Sequence, residues 1–376
     1  WEGAETMDDR QRFLATLSFR NADRIPNYEL ALWGQTIERW EREGMPADAC
    51  WYNWFEGEPH FHLERRGFAH VSTRMIPAFE HQVLAEDERT VTARNASGIV
   101  TRALKAGAAR GTRASMDEYI SFPVTDRASF REIRKRYDPA SPVRYPLLWD
   151  TQVVAWKKRT YPLCLLGNAS IGLYSQLRSW CGTEGISYLF YDDPALVEEM
   201  VELVVDFTIR VTERARREVR FDYFSFFEDF AGKGGPLLSP DIFRRFLFAG
   251  YRRIIGEFRK SGIEHFWLDS DGDPRPLIPL MLEAGITCLW PLEVAAGIEP
   301  EALRRQYGRN LALAGGIDKR ELTKSTDHIE RELMKRIPPL LDHGGYIPHL
   351  DHAVPPDISY ENFRFYIDLK MKLMGY

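Results

Sequence analysis

The sequence predicts an α/β fold built from parallel strand–helix–strand units, and three observations predict it. Short apolar runs alternate with helix-like segments through the second half of the chain. Each run ends in an acidic residue, in a histidine, or in a glycine pair that is soon followed by an aspartate. A helix signal comes after each of these ends. The length of 376 residues suits one large barrel with insertions, or two ordinary domains. Because the strands of a barrel end at a common mouth, we expect an enzyme site rich in carboxylate and imidazole groups.

The first part of the chain is predicted to hold a helix, a strand and an insertion. Residues 6–19 form an amphipathic pattern, so the segment 1–23 is expected to be largely helical. The apolar stretch 28–33 is predicted as the first barrel strand. Residues 44–79 are rich in Trp, Phe and His without a clear period. We therefore expect one domain across the whole chain, with an insertion at 44–110 over the barrel mouth.

Turn residues and helix-capping residues predict the order of helices and strands in the rest of the chain. Residues 90–94 and 99–104 flank an Asn-Ala-Ser-Gly turn, which predicts a β-hairpin. A charged helix is predicted at 126–137 and a buried strand at 161–166. Further helices, among them one that starts with a capping serine and a proline, are predicted at 171–180, 194–218, 239–260, 275–284, 300–307, 329–343 and 360–374.

Composition narrows the class of function. The net charge of −5 disfavours nucleic acid as a partner, because phosphate binding requires a basic face. No apolar run approaches the ~18 residues of a membrane-spanning helix. The four cysteines are scattered without a CxxC pair, which argues against a thiolate zinc site and suits a reducing compartment. We expect a cytoplasmic protein that acts on a small molecule.

Two aspartates after one apolar run form the first candidate site. Asp269 and Asp271 are two residues apart, so their side chains face the same way if the strand persists. Two carboxylates on one face bind a cation or raise one another's pKa. The alternative is a solvated turn, because Asp and Gly272 are common turn residues.

The segment 346–357 is the second candidate, with His349, Asp351 and His352 before a double proline. Imidazole suits proton transfer near neutral pH and metal ligation, and a neighbouring aspartate can orient the ring. We expect at least one of these histidines to be functional. The alternative is a structural loop in which a histidine bonds the backbone.

Weaker candidates follow other predicted strands. Glu228 and Asp229 precede a glycine-rich stretch that permits close approach of a ligand, although such acids also cap helices. The segment 315–319 offers backbone N–H groups and Lys319 to an anion. Aromatic residues such as Trp33 suit an apolar pocket, but they are more often part of a core. No nucleotide-binding, HExxH or GxSxG motif occurs.

Five segments have a distinctive order along the chain, namely 235–240, 269–272, 284–286, 315–319 and 344–357. Together they resemble the uroporphyrinogen decarboxylase superfamily, which holds the heme-pathway decarboxylase and zinc-dependent, corrinoid-linked methyltransferases. The resemblance extends from about residue 24 to the C-terminus. It implies a (β/α)8 TIM barrel and, as a family-level expectation, a homodimer.

Two departures from the family pattern affect the expected chemistry. Glu29 lies where the decarboxylase has an arginine-rich signature that holds substrate carboxylates, and its charge has the wrong sign. Asp269, Asp271 and His352 lie where the methyltransferases have a His-x-Cys pair and a further Cys as zinc ligands. The resemblance therefore implies a harder divalent site, for zinc first and for manganese, magnesium or iron as alternatives.

Three hypotheses follow. The first is metal-assisted methyl transfer in a corrinoid-dependent demethylation system, with the corrinoid carried by a partner protein. The second is a metal-independent decarboxylase, in which one aspartate is kept protonated by its neighbour and Lys319, Lys233 or Arg178 grips a carboxylate. The third is a corrinoid- or small-molecule-binding protein without catalysis.

The interpretation gives the candidate residues three roles. The catalytic residues are Glu228, Asp229, His349 and Asp351. The substrate-binding residues are Glu29, Trp33, Asn168, Arg178, Glu293 and Lys319. The metal ligands are Asp269, Asp271 and His352.

Overall fold

The computed structural model describes residues 6–49, 57–167 and 171–376. The α-helices are α1 (Asp9–Leu17), α2 (Gly34–Arg42), α3 (Arg127–Arg134), α4 (Trp149–Trp156), α5 (Leu173–Asp192), α6 (Pro194–Val211), α7 (Glu213–Glu218), α8 (Pro240–Ile242), α9 (Phe248–Lys260), α10 (Ile278–Ala284), α11 (Pro300–Tyr307), α12 (Thr326–Leu341) and α13 (Tyr360–Met374). The strands are β1 (Gly67–Phe68), β2 (Gln82–Glu86), β3 (Thr90–Arg94), β4 (Val100–Leu104), β5 (Ala108–Ala109), β6 (Thr112–Arg113), β7 (Glu118–Ser121), β8 (Leu163–Leu165), β9 (Tyr223–Phe227), β10 (Ala231–Gly232), β11 (Gly235–Pro236), β12 (His265–Asp269), β13 (Cys288–Trp290), β14 (Ala312–Ala314) and β15 (Tyr346–Ile347).

A curled parallel sheet forms the centre of the fold. Among the described residues it has seven strands, in the order β1–β8–β9–β12–β13–β14–β15. Parallel neighbours need a crossover between them, and helices provide most of these crossovers. β9 and β12 pair over their whole length, with Tyr223 opposite His265 and Phe227 opposite Asp269. The α/β prediction is confirmed, and the barrel prediction is confirmed as far as this sheet.

The predicted first strand lies between the two ends of the sheet. The Asn27 carbonyl accepts a hydrogen bond from Glu64 N–H, and Val354 N–H donates to the Ala31 carbonyl. Only a single bridge, from Leu32 to Val354, has strand geometry within this described segment. Near this bridge the Leu350 amide donates to the side chain of Glu29 and not to a backbone carbonyl.

Side chains that point inside the curled sheet pack against the N-terminal helix. Phe13 of α1 stacks on Trp267 of β12, with ring centroids 5.7 Å apart and planes at 17°. Tyr223 of β9 and Trp290 of β13 belong to the same buried cluster. Because residues two apart on a strand face the same side, Asp269 points inside the sheet above Trp267.

The segment between β1 and β8 carries an antiparallel insertion sheet, with the strand order β2–β3–β4–β7. The hairpin predicted from the sequence is confirmed as β3 and β4, which pair in register from Thr90–Leu104 to Arg94–Val100. The sheet extends to Ser121, where the chain turns back toward α5. The insertion therefore forms its own layer beside the parallel sheet.

A kink in α5 marks the place where the insertion sheet docks. Gly182 has φ 75° and ψ 164°, and a Cβ at this position would lie 2.4 Å from the ring of Phe122. The Trp180 carbonyl, freed by the kink, accepts a hydrogen bond of 2.9 Å from Val124 N–H. The helix predicted at 171–180 therefore continues to Asp192, because the glycine bends it without ending it.

Most helices of the second half begin and end close to their predicted bounds. Pro300–Tyr307 and Tyr360–Met374 agree with the prediction at both ends. Ser239 caps the helical stretch that leads through α8 into α9, and its side chain accepts a hydrogen bond from Ile242 N–H. None of the described helices combines the length and the apolar character that a bilayer crossing requires.

Candidate active site

Three carboxyl groups and an imidazole lie at the carboxyl ends of the central strands, close enough for their charges to interact. We call this group the acid cluster, and it consists of Asp229, Asp269, Asp271 and His352. Asp229 follows β9, Asp269 ends β12, and His352 lies in the loop after β15. The strand-end rule used on the sequence brings these side chains together as expected.

Asp269 is the buried member of the acid cluster, with 8% of its surface exposed. No described residue donates a hydrogen bond to its carboxyl group. Burial raises its pKa well above the ordinary value, and the negative charges of Asp271 and Asp229 raise it further. These effects favour the protonated acid, so Asp269 is suited to donate a proton.

Asp271 and His352 form the half-exposed side of the acid cluster. The distance between His352 Nε2 and Asp271 Oδ2 is 3.6 Å. The Asp271 carboxylate raises the pKa of His352 above its ordinary value, and burial opposes this effect. The pair therefore holds an exchangeable proton next to solvent and next to Asp269.

Asp351 is fully buried and joins three loops at the strand ends. Its carboxylate accepts hydrogen bonds from the backbone amides of Val294 at 3.0 Å and Lys319 at 3.2 Å. The Lys319 ammonium lies 3.5 Å from the same carboxylate. These contacts fix the loop that carries His352, so Asp351 positions the acid cluster without facing a substrate.

The ring of His349 is buried and bonds the backbone, which is the arrangement expected of the alternative that the sequence left open. The side chain is 2% exposed, and its Nδ1 lies 2.7 Å from the Leu350 carbonyl, to which it donates. Burial lowers the pKa of His349 to about 3. Because the ring stays neutral and faces Trp290, the predicted role in acid–base catalysis is not supported by its position.

Glu228 caps α5 from inside the protein. Its carboxylate accepts hydrogen bonds from the backbone amides of Leu173, Tyr174 and Ser175, the last at 2.9 Å, and from the Tyr251 hydroxyl. Burial raises the pKa of Glu228 to about 7. Both oxygens accept hydrogen bonds, so Glu228 caps α5 in this structure, and its catalytic role stays a prediction.

Glu29, a predicted substrate-binding residue, belongs to a buried ion pair. The Lys370 ammonium and the Tyr366 hydroxyl each lie 2.5 Å from its Oε1, and Leu350 N–H donates to its Oε2. Both partners of the ion pair are fully buried. These contacts engage both carboxylate oxygens of Glu29, and its substrate-binding role stays a prediction.

Replacing Lys370 with methionine should lower the free energy of unfolding by about 3 kcal/mol, since the Glu29 carboxylate would remain buried without its counter-ion. The double variant Glu29→Gln/Lys370→Met should recover most of this loss. Urea unfolding measures both effects. Lys372→Met, an exposed position on the same helix, is the matched control and should stay near wild type. An equal loss in the control would contradict the ion-pair argument.

Two further predicted binding residues support the acid cluster. Arg178 of α5 donates to the Asp229 carbonyl at 2.8 Å and lies 3.3 Å from the Asp229 carboxylate. Glu293 Oε2 accepts a hydrogen bond of 2.9 Å from Gly272 N–H. Glu293 therefore holds the Asp-Ser-Asp-Gly turn, and Arg178 offsets the charge of Asp229.

The remaining predicted binding residues lie at the edge of the candidate site or outside the residues that the structure describes. Trp33 is half-buried at the start of α2, and its backbone N–H donates to the Val354 carbonyl. Lys319 is held by Asp351. Asn168 lies outside the described residues. No contact of these three residues tests their predicted roles.

The predicted metal ligands do not converge into a complete set. Within residues 6–49, 57–167 and 171–376, no group of three or more His, Cys, Asp or Glu side chains could hold a metal ion. Two carboxylates and an imidazole are suitable donors for a divalent ion, so the donor types fit. The arrangement does not, because Asp269 does not join Asp271 and His352 in one set. Metal binding here stays a prediction.

Sequence reasoning missed two side chains that hold the acids in place. The Ser175 hydroxyl accepts a hydrogen bond of 2.7 Å from Asp229 N–H and so fixes the start of the loop after β9. The hydroxyl of Tyr251, a buried residue of α9, donates a hydrogen bond to Glu228. Neither residue belongs to a motif. The periodic pattern of α9 predicts only that the face of Tyr251 is buried.

Comparison with known proteins assigns the family. The model of the family described as Uroporphyrinogen decarboxylase (URO-D) matches residues 107–372, most of the chain. The chain belongs to the uroporphyrinogen decarboxylase family. The resemblance inferred from the order of the sequence segments is thereby confirmed, and the chain is a divergent member of this superfamily.

Individual relatives of the uroporphyrinogen decarboxylase family are distant. The chain is 25% identical over 224 residues to a uroporphyrinogen decarboxylase from Syntrophotalea carbinolica. That match covers 56% of this chain and 60% of the relative's length. A methyltransferase from Methanosarcina mazei has a similar structure, with a TM-score of 0.60 and 14% identity over 97% of this chain and 99% of the other. At this identity the likeness shows the fold alone.

Proposed function

We propose that this chain transfers a methyl group from a small, largely uncharged donor, with Asp269 as the general acid. The position of Asp269 carries the proposal. It is a buried carboxyl group whose protonated form is favoured, at the ends of the strands where barrel enzymes have their sites. The methyltransferase name of the Methanosarcina mazei relative is consistent with this chemistry.

The proposed step is a methyl transfer in which Asp269 protonates the leaving group. The bond between the methyl carbon and the heteroatom of the donor breaks, and its electron pair stays on the heteroatom. The methyl carbon forms a new bond to a nucleophile, and the heteroatom takes the proton of Asp269. The Asp271–His352 pair, which is open to solvent, then returns a proton to Asp269.

The charges around the acid cluster favour an uncharged donor over a carboxylate. Asp229, Asp269 and Asp271 face the region where the donor would react. Two basic residues that could bind a substrate carboxylate already form ion pairs, Arg178 with Asp229 and Lys319 with Asp351. A carboxylate substrate would therefore meet several acids and few free cations.

The predictions of a corrinoid partner, a divalent metal and a closed barrel are part of the same proposal. A corrinoid on a partner protein would supply the methyl acceptor when bound. A divalent metal, zinc first, remains a proposal for Asp269, Asp271 and His352, and proton donation by Asp269 does not depend on it. We also propose that the segment 28–33 and the preceding Asn27 close the curled sheet into an eight-stranded barrel, since Asn27 contacts Glu64 and Ala31 contacts Val354.

Decarboxylation is the second candidate, and one observation favours it. A protonated Asp269 can also protonate the carbon that remains after CO2 leaves. The Syntrophotalea carbinolica relative is named for this reaction. In this case Lys233, which is exposed on the loop between β10 and β11, would be the basic residue open to the substrate carboxylate.

An assay with two readouts separates the candidates. The purified chain is incubated with cob(I)alamin and each of methanol, trimethylamine, dimethyl sulfide and anisole, and methylcobalamin is followed by its absorbance. Release of CO2 from uroporphyrinogen III is measured in parallel. We expect methylcobalamin from at least one donor and no CO2. Release of CO2 without methyl transfer would overturn the proposal in favour of decarboxylation.

Metal content of the same preparations tests the predicted ligand set. The wild type is compared with Asp271→Ala and His352→Ala by mass spectrometry after incubation with zinc or manganese. About one ion per chain, lost in both variants, is the result expected if these residues bind a metal. Equal metal in all three proteins would contradict the predicted site.

A further inference from the structure

A cavity of about 370 Å³ lies beside the acid cluster, between the insertion sheet and α5. Ile99, Tyr119 and Phe122 from the insertion form one wall. Phe227, at the end of β9, and Asp229 line the side toward the strand ends. Asp229 therefore belongs both to the cavity and to the acid cluster, which makes the two regions neighbours.

The wall formed by α5 offers no unpaired charge. Arg178 is offset by Asp229, whose carboxylate is 3.3 Å away. The Thr183 hydroxyl accepts a hydrogen bond of 3.0 Å from Arg178 Nε, and the Ser179 hydroxyl donates to the Gln176 carbonyl at 2.8 Å. The hydroxyl groups are thus engaged within the helix, and the aromatic and aliphatic side chains opposite them supply most of the contact surface.

We propose that this cavity binds the non-reacting part of the substrate, and that this part is an uncharged apolar group of about one or two rings. The volume lies at the lower end of the range of about 300–1,000 Å³ for small-molecule pockets. A polycarboxylate tetrapyrrole is both too large and too strongly charged for it. A charged group would also lose its hydration without gaining an unpaired partner.

The inference rests on the proposed function in one respect, since it takes the acid cluster as the place where the substrate reacts. A ligand in the cavity directs one end toward Asp229, and Asp269 lies beyond it. The insertion sheet then decides which substrate is accepted, because Ile99, Tyr119 and Phe122 form the wall opposite α5.

Two matched probes test the chemistry of the cavity. 2-Naphthol and 2-naphthoate share a ring system and differ in charge, and calorimetric titration of the full chain gives both dissociation constants. We expect 2-naphthol to bind at least about tenfold more tightly than 2-naphthoate. Equal binding, or tighter binding of the naphthoate, would overturn the assignment of an uncharged group.

Two substitutions test the location. Thr183→Trp fills the cavity from α5 and should weaken 2-naphthol binding by at least about tenfold, and Ser179→Phe should act in the same direction. Tyr188→Trp, at an exposed position on the same helix, is the matched control and should bind as the wild type does. Circular dichroism identifies any variant that fails to fold. Unchanged binding in a folded Thr183→Trp or Ser179→Phe protein would overturn the location.

A third variant separates this inference from the proposed function. Asp269→Asn should retain the 2-naphthol affinity of the wild type, because Asp269 does not line the cavity. Loss of methyl transfer with intact naphthol binding would leave the cavity assignment standing. Methyl transfer that persists in Thr183→Trp at the wild-type KM would overturn the cavity assignment and leave the proposed function standing.

Discussion

Asp269→Asn should lower methyl-transfer turnover by about 10²- to 10⁴-fold and leave the protein at least as stable as the wild type at neutral pH. The amide keeps the size of the side chain but has no acidic proton for the leaving group. It also removes a carboxyl group whose ionisation is disfavoured by burial and by Asp271 and Asp229. Initial rates with the active donor and urea unfolding measure the two effects.

The pH dependence of stability tests the same carboxyl group without any substrate. The pKa of Asp269 is raised in the folded protein, so its stabilising contribution is present below the unfolded value of about 3.9 and is lost as the pH rises toward the folded pKa. Asp269→Asn should therefore gain stability relative to the wild type between pH 4 and pH 8.

Asp273→Asn on the same loop is the control of opposite sign. Its carboxylate lies 2.6 Å from Arg275, and this hydrogen bond lowers its pKa. Its contribution is present above the unfolded value and is lost as the pH falls, so this variant should lose stability relative to the wild type at pH 8. If both variants shifted in the same direction, the assignment of a protonated Asp269 would be wrong.

Glu228→Ala should lower the free energy of unfolding by about 4 kcal/mol or more, because four buried donors would lose their acceptor at a cost of about 1–3 kcal/mol each. Those donors are the amides of Leu173, Tyr174 and Ser175 and the Tyr251 hydroxyl. Glu228→Gln keeps one acceptor oxygen and should lose clearly less. Urea unfolding at constant pH measures both variants.

Turnover of the same variants distinguishes capping from catalysis. Because Glu228 holds the first turn of α5, its loss should also displace Ser175 and Arg178, which contact Asp229. The activity of Glu228→Gln should therefore follow its stability. A Glu228→Gln protein with wild-type stability and no turnover would restore the catalytic role predicted from the sequence.

The strands of the second half were predictable because each is a short, almost fully buried run. β12 and β13 show this most clearly, with every residue buried, and the hairpin β3–β4 follows from its glycine-containing turn. Contacts that join distant parts of the chain were not predictable. Glu29 and Lys370 are 341 positions apart, and no local pattern distinguishes a buried charge pair from an exposed one.

The same difference between local patterns and distant contacts decides which residues of the candidate site were predictable. Asp229, Asp269, Asp271 and His352 were found because a single rule, that parallel strands end together, applies to all of them. Glu228 follows a strand too, yet its side chain turns inward to α5, whose first turn lies 53–55 positions earlier. The cavity beside Asp229 combines walls from the insertion and α5, so no spacing in the sequence indicates it.

The N-terminal helix that stacks on Trp267 has a consequence for the order of folding. Phe13 leaves the ribosome well before β12, the strand that carries its partner Trp267. Contacts of such high sequence separation slow folding and leave apolar surface exposed in intermediates. The contact between α1 and the sheet therefore cannot form before β12 is synthesised, and the apolar face of α1 stays open to other partners until then.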